Sequence, residues 1–377
     1  MRSGMVALSL ALAWACAPAA ATGSTPGIRV EVGGYMEQVA GWARNSPGVR
    51  VAQRNGATTT STVLQKPNRF SQQSDSEIWF GGRATLEDGL VVGFLVQLEA
   101  NSNPQDQIDE SYLFLEGPFG RLVLGSENDA AYLQHVSAPR PASGWSVLET
   151  AATQWVVPPR YVSAMTTTAP TTTGDDQKVT WFAPRLAGIQ VGASHTPNER
   201  EDANELGDAR RERTNLSSLS ANGRWNIEGL ALGLSAGQVH GRGAPRAPYA
   251  DRRSRLDDTA FGVELGHGEF TLGAGHRRLA NQAGSQDGRA RALGLAWRRD
   301  RWSAAAGHLR SRVAGAASDP GRDKADMLVV SGGYELAPGV SLVVSGFGAR
   351  YSNGQSRFGA EDRNRGTGLI SGLRLSF

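Results

Sequence analysis

Cysteine is almost missing from this 377-residue chain: the single one, Cys16, falls inside the apolar N-terminal segment. Whatever holds the rest together, disulfide bonds do not. Long hydrophobic runs are missing as well. Beyond the N-terminus no stretch approaches the roughly 18 apolar residues that a membrane-crossing helix needs, which excludes a helical membrane protein. With 40% apolar residues and a mean hydropathy of −0.34, the chain would also build only a thin conventional core. Histidine is scarce. His135, His195, His240, His267, His276 and His308 form no HExxH pair or other close metal-ligand spacing, so no metal site and no cofactor are expected. Nucleic-acid binding wants a concentrated basic face. Here, once Arg2 is set aside, 38 basic residues are interspersed with 36 acidic ones, and the densest basic run, "DRRSRLDD" at 251–258, is flanked by acids. No phosphate-cradling glycine loop is present, and "GDD" at 174–176 offers a weak cation site at best.

The N-terminus reads as a leader. "MRSGMVALSLALAWACAPAAATG" carries an early Arg2, an apolar run from Met5 to Ala17 and small residues before Thr22. That is the pattern of a secretory signal, too short to anchor, with cleavage expected after Ala21. Residues 1–21 are then the signal and 22–377 the exported chain. Trp14 speaks against reading Cys16 as a lipid-attachment site.

What the chain has in quantity is glycine, 47 residues, and a period of two. At the C-terminus Leu369, Leu373, Leu375 and Phe377 share one parity, opposite Gly368, Ile370, Gly372 and Arg374. Leu90, Val92, Phe94, Val96 and Leu98 likewise oppose Val91, Gly93, Leu95, Gln97 and Glu99. Ile78, Phe80, Ala84 and Leu86 oppose Glu77, Trp79, Arg83 and Thr85, and the same alternation runs through 230–237 and 293–298. Alternation of this kind is the pattern of strands with two different faces. Segments of about nine to twelve residues suit tilted membrane strands.

The connections come in two sizes. Short turns fall at Glu87-Asp88-Gly89, Gly117 to Gly120, Arg185 to Gly188, Glu228-Gly229, His267-Gly268, Arg299 to Arg301 and Ala337-Pro338-Gly339. Long polar segments lie between them, at 43–75, 196–214, 241–257, 312–323 and 352–365. Seven short turns join fourteen strands; a first strand at 28–42 and a last at 366–377 make sixteen. An even number of strands, with short turns at one end and long loops at the other, predicts an all-β, 16-stranded antiparallel transmembrane β-barrel rather than a soluble sandwich. Lipid then meets the apolar parity of every strand, and closure of the last strand on the first leaves no unpaired edge. Trp42, Tyr351 and Phe377, at strand ends, are expected in interfacial aromatic girdles.

One connection, residues 126–175, is too long to be structureless in a compact domain without a functional reason. Asn128 to Val136 predicts a short helical turn. Tyr132, Leu133, Trp145, Val147, Leu148 and Trp155 would be wasted on an exposed loop, so the segment is expected to fold into the lumen and constrict it. Glu127, Asp129 and Glu149 are its candidate acids, facing the inward-parity arginines Arg29, Arg83 and Arg121. Acids opposite arginines across a constriction would create a transverse field. Cation preference follows if the three acids face the lumen, and their replacement by Gln should move selectivity toward anions.

"GGYMEQVAGWA" at 33–43, "GRLVLGSENDAAYLQHVSAPRP" at 120–141 and the terminal strand closing on Phe377 resemble the general porins of Gram-negative outer membranes. The resemblance implies a homotrimer in the outer membrane, a third loop folded inward and passive diffusion of small hydrophilic solutes and ions. It also implies contact with outer-membrane lipid and lipopolysaccharide, and recognition of the C-terminal strand by the barrel-assembly machinery. The Pro-Glu-Phe-Gly-Gly tip common in enteric porins is missing, which leaves open which acids reach the constriction. A substrate-specific channel is the main alternative, with Tyr112, Phe114, Trp145 and Trp155 as candidates for an aromatic slide. An outer-membrane barrel enzyme would need a Ser/His or Asp/His cluster at one rim. "GLSAG" at 233–237 matches a nucleophile pattern, but Ser235 falls mid-strand rather than on a strand-to-helix turn. The chain is therefore read as a non-enzyme.

Overall fold

A computed structural model of the chain describes residues 27–46, 49–55, 59–65, 68–99, 107–139, 155–159, 161–199, 213–242, 255–281, 287–315, 321–355 and 362–377. The expected signal, 1–21, lies outside them. The first strand, β1, is Arg29–Arg44. A two-stranded ribbon follows, β2 (Val49–Asn55) with β3 (Thr59–Gln65). Next come β4 (Phe70–Thr85), β5 (Val91–Glu99), β6 (Ile108–Gly117) and β7 (Gly120–Ser126). After the short helix α1 (Ala130–Leu133) the chain resumes with β8 (Gln177–Phe182), β9 (Ile189–Asn198), β10 (Thr214–Ile227) and β11 (Leu230–Arg242). It continues through β12 (Arg255–His267), β13 (Phe270–Asn281), β14 (Gly288–Arg299) and β15 (Trp302–Ala314). The last three strands are β16 (Arg322–Ala337), β17 (Val340–Ser352) and β18 (Arg363–Ser376).

Every strand except β2 and β3 joins one closed antiparallel barrel of 16, in which β18 returns to β1. The segment at 43–75 is therefore not a plain loop, because it contains the ribbon and the start of β4. All seven expected turns lie at one end of the barrel. Two of them, Ala187-Gly188 and Glu228-Gly229, hold both residues at positive φ (49° and 85°; 51° and 87°). That is the backbone of the two-residue hairpin turn whose twist matches its strands.

Parity sorts the faces as the alternation requires. Leu369, Leu373, Leu375, Leu293, Leu295, Phe261 and Leu234 are exposed on the outside, while Ile370, Ala292 and Ala260 are buried within. No described helix is long and apolar enough to cross a membrane; the crossing is made by strands. Aromatic side chains gather outside at the short-turn end, where Phe119, Phe270, Trp302 and Phe377 are exposed. Three indoles there also reach the turns: Trp181 donates to the Phe119 carbonyl at 2.9 Å, Trp225 to the Ala187 carbonyl at 3.0 Å and Trp297 to Glu269 at 2.8 Å. An apolar ring with one polar edge suits this boundary. At the loop end Trp42 is 61% exposed and tilts against Phe70, with centroids 5.1 Å apart. Tyr351 is a correction. It shares the inward parity of Phe347 and Ala349 and is 1% exposed, so it belongs to an inner cluster and not to a girdle.

The C-terminal residue is fastened. Phe377 and Gly34 exchange both backbone hydrogen bonds, at 3.0 and 3.1 Å. Deleting Phe377 removes this pair and the terminal ring, and should cost roughly 1–3 kcal/mol at about 1 kcal/mol per net hydrogen bond. The expected outcome is a lower temperature for loss of the compact band in heat-modifiability electrophoresis.

Candidate pore constriction

The described parts of the segment between β7 and β8, residues 127–139, 155–159 and 161–176, lie against the inner wall, and the wall is built to receive them. On the outward leg the amides of Ala130, Ala131 and Val136 donate to Ser194 at 2.8 Å, Ser218 at 3.3 Å and Ser235 at 3.0 Å. These serines are inward positions on β9, β10 and β11. Asn222 donates to the Gln134 carbonyl at 3.0 Å. Further round the barrel glycine replaces serine. A Cβ at Gly262 would overlap the Val136 carbonyl, one at Gly273 the Ser137 carbonyl, and one at Gly294 the Ala138 side chain. Backbone lies on backbone there, which only a missing side chain allows.

The return leg is fixed on the far side. Asn45 donates to the Trp155 carbonyl at 2.9 Å and accepts from Val157 N at 3.0 Å; Asn364 donates to the Val157 carbonyl at 2.8 Å. Val156 is fully buried and Trp155 nearly so, 6.4 Å from the Phe347 ring. Ser163 N reaches Asp323 at 2.7 Å, Met165 N reaches Ser311 at 3.2 Å, and Thr172 donates to Asp258 at 2.5 Å. Asp258 itself is held by Arg277 through contacts of 2.7 and 3.0 Å, both residues being buried. The two legs are joined at Thr168, which meets His135 at 3.1 Å and Ser137 at 2.7 Å. Lys178, 4% exposed, closes the neck by donating to carbonyls at both ends, those of Glu127, Gly174 and Asp176.

Asp129 does not line the lumen. It is fully buried and caps α1, accepting from Ala131 N at 2.8 Å, Tyr132 N at 3.0 Å and the Thr173 hydroxyl at 2.7 Å. The helical turn expected at Asn128–Val136 is present, and this carboxylate starts it. Glu127 stays at the site: burial raises its carboxyl above the usual range, and it hydrogen-bonds Glu110 and the Asn128 amide. Glu149 lies outside the described residues, as does Trp145. Arg29, Arg83 and Arg121 all face inward, but at the short-turn end. Arg29 and Arg83 are register partners, and Arg29 lies 3.6 Å from Glu31. Arg121 lies 3.4 Å from Glu116 and stacks over Phe114 at 4.6 Å.

The larger acidic concentration is on the wall. Glu77 of β4, Glu99 of β5 and Asp109 of β6 bring carboxylate oxygens within 4.8 Å of one another, and so do Glu110, Glu127 and Asp175. These are the two places, among the described residues, where three acids meet closely enough to share a cation. Asp175, in the loop, has its carboxyl pushed up to about 7 by burial and by the charges of Asp109 and Glu127. Glu77 and Arg83 are six residues apart on one strand, about 20 Å at 3.3 Å per residue. Arg29 and Arg121 thus stand near the short turns, each beside a carboxylate, while the two groups of three acids stand nearer the loop. Glu77 and Glu99 already lay on the polar parity of their strands; Asp109, Glu110 and Lys178 carried no signal beyond strand position. Ser235 accepts the Val136 amide and approaches His135 at 3.5 Å, so this pair anchors the loop.

The family model for Gram-negative porins matches residues 7–356. The chain belongs to the Gram-negative porin family. No curated protein matches it in sequence. Among solved structures, the porin resembles the outer membrane channel DcaP of Acinetobacter baumannii (TM-score 0.65, 10% identity, covering 94% of this chain and 99% of that one). It also resembles the anion-selective porin from Comamonas acidovorans (TM-score 0.60, 13% identity, 93% and 100%). The trimer form of OmpT from Vibrio cholerae is a third (TM-score 0.54, 12% identity, 93% and 100%). At these identities the likeness is one of fold. The porin is an outer-membrane barrel enclosing a channel for passive diffusion.

Replacing Asp129 with Ala removes the cap and the bond from Thr173, and weakens α1 by about 1 kcal/mol. Open-channel current noise should rise in single-channel records, and the reversal potential under a salt gradient should stay unchanged.

Proposed function

We propose that the porin is a cation-preferring general diffusion channel for small hydrophilic solutes, assembled as a homotrimer and inserted through its C-terminal strand by the barrel-assembly machinery. The observation that carries the reading is the cluster of carboxylates on β4, β5 and β6, beside the wall that the loop leaves uncovered among the described residues. An acidic ring favours cations in a narrow aqueous path. The proposed constriction consists of Glu77, Glu99, Asp109, Glu110, Glu127 and Asp175, with Arg29, Arg83 and Arg121 nearer the periplasmic mouth. Anion selectivity in the Comamonas relative does not carry over, since selectivity is set by individual side chains and not by the fold.

A substrate-specific channel with an aromatic slide is less well supported. Tyr112 and Phe114 face the lumen from β6, but Phe114 is 5% exposed and Trp155 is buried against Phe347 across the barrel. These rings do not form one continuous track. Homotrimer assembly is supported by family membership and by a relative solved in trimer form.

Recording of the purified protein in a planar bilayer tests the reading. Large, ohmic steps in multiples of three are expected, with a reversal potential on the cation side. The triple variant Glu77→Gln, Glu99→Gln, Asp109→Asn should shift that potential toward anions; no shift would remove the acidic wall from the permeation path. Asp175, with its carboxyl near 7, is mostly protonated at pH 5 and mostly charged at pH 8. Cation preference should therefore strengthen as pH rises across that window, and Asp175→Asn should flatten the dependence.

A further inference from the structure

From the loop end to the short turns, the inner wall of β1, β4, β5 and β6 changes character twice. The carboxylates come first, and they are held in place. Gln97 donates to Glu77 at 2.7 Å, and the Tyr35 hydroxyl donates to Glu77 at 2.9 Å and to Asp75 at 3.2 Å. Below them is a level of rings. Trp79, the next inward residue after Glu77 on β4, is flanked by Gly33 of β1 and Gln97 of β5. Its ring lies flat on Gly33: a Cβ there would overlap Cζ2, with Cε2 and Cη2 at equal distances, as in an approach from above the ring plane. Phe114 of β6 covers Gly93 of β5 in the same way, and Leu95 is buried beside it. Arg121 lies over Phe114, so Trp79 and Tyr112 are the partly exposed rings of this level.

The arginines come last. Arg83 is the register partner of Arg29, and Arg121 stands across from Glu116. The pairs Arg29–Glu31 and Arg121–Glu116 are long, at 3.6 and 3.4 Å, and their guanidiniums are 64% and 39% exposed. Exposed pairs of this kind hold their partners weakly, so a carboxylate arriving from the lumen can share the guanidinium forks. Glu77 and Arg83 are about 20 Å apart along β4, and their side chains shorten the gap to roughly 10–14 Å. Three or four extended residues at about 3.3 Å each cover that distance.

We infer that this wall binds short oligopeptides, with the N-terminal ammonium among the acids of β4 to β6, an apolar side chain on Trp79 and Tyr112, and the C-terminal carboxylate at Arg83 and Arg121. The acids alone would hold any cation. The rings and guanidiniums beside them select a zwitterion with an apolar middle, since a ring face takes apolar and cationic groups and a guanidinium takes a carboxylate. The rings form a patch at one level, a resting place in the lumen and not a slide through it. The inference names a solute class for the constriction proposed above and rests on its acids lining the lumen.

The test is block of the open-channel current of the full barrel in a planar bilayer by the tripeptide Ala-Phe-Ala. Its N-acetylated form, its C-amidated form and triglycine serve as comparisons. The free tripeptide should block saturably, at about tenfold lower concentration than any of the three. The amide decides most sharply: it is a net cation, so attraction by acids alone would make it the stronger blocker. Trp79→Ala should bring Ala-Phe-Ala down to the affinity of triglycine, and Arg83→Gln should remove the preference for the free acid over the amide. Should either variant fail to fold, the four peptides on wild-type protein decide alone. Equal block by all four, tighter block by the amide, or no saturable block would overturn the inference. The reversal potential of the same membrane separates the two readings. On the cation side without a preference for the free tripeptide, it fells this inference and leaves the diffusion channel standing; on the anion side it fells both.

Discussion

Closure of the first strand on the last is the constraint on which everything else here rests. A sheet open at β1 and β18 would present two rows of unpaired amides and carbonyls to hydrocarbon, at several kcal/mol for each group left unsatisfied. Closing it imposes a strict division of the side chains. The outer parity must be apolar where it meets acyl chains, and the inner parity is free to be serine, glycine or charged. Ser194, Ser218, Ser235 and Ser311 would be poor choices facing lipid; facing inward, each takes a loop amide. The long connection is thus held by a wall that only a closed barrel could offer.

Much of this architecture was legible because the pleat is a local property. Parity along any ten residues assigns two faces, and the seven short turns fix the strand count without knowledge of what touches what. Tyr351 shows where the method ends. Near the loop end of β16 and β17 the inner parity is itself apolar, with Ala325, Met327, Phe347 and Ala349 packed under the returning loop. The outer parity there carries Lys324, Asp326, Arg350 and Ser352, so the usual polarity of the two faces is inverted, and position at a strand end does not assign an aromatic to the outside.

The constriction was harder to read for a related reason. A loop acid in a sequence looks the same whether it faces water or caps a helix. Asp129 precedes Ala130-Ala131-Tyr132, and capping fits that context, yet only the fold shows Thr173 returning 44 residues later to take its second oxygen. Conversely, Glu77, Glu99 and Asp109 come from three strands and converge only through register. Residues that act together across a sheet leave no trace of their grouping in the linear order.

The described parts of the inward loop lie on β8 through β18 and reach the end of β1, whereas the clustered acids stand mainly on β4, β5 and β6. Width and charge are therefore assigned to different materials. In the proposed reading, the aperture is set by a segment held through scattered hydrogen bonds and one apolar cluster, each contact weaker than a strand pairing. The sign of the preferred ion is set, in the same reading, mainly by side chains rooted in a continuous hydrogen-bonded sheet, joined by Glu127 and Asp175 from the two ends of the loop. In that reading, thermal excursions of the loop modulate how much passes more than which ion passes.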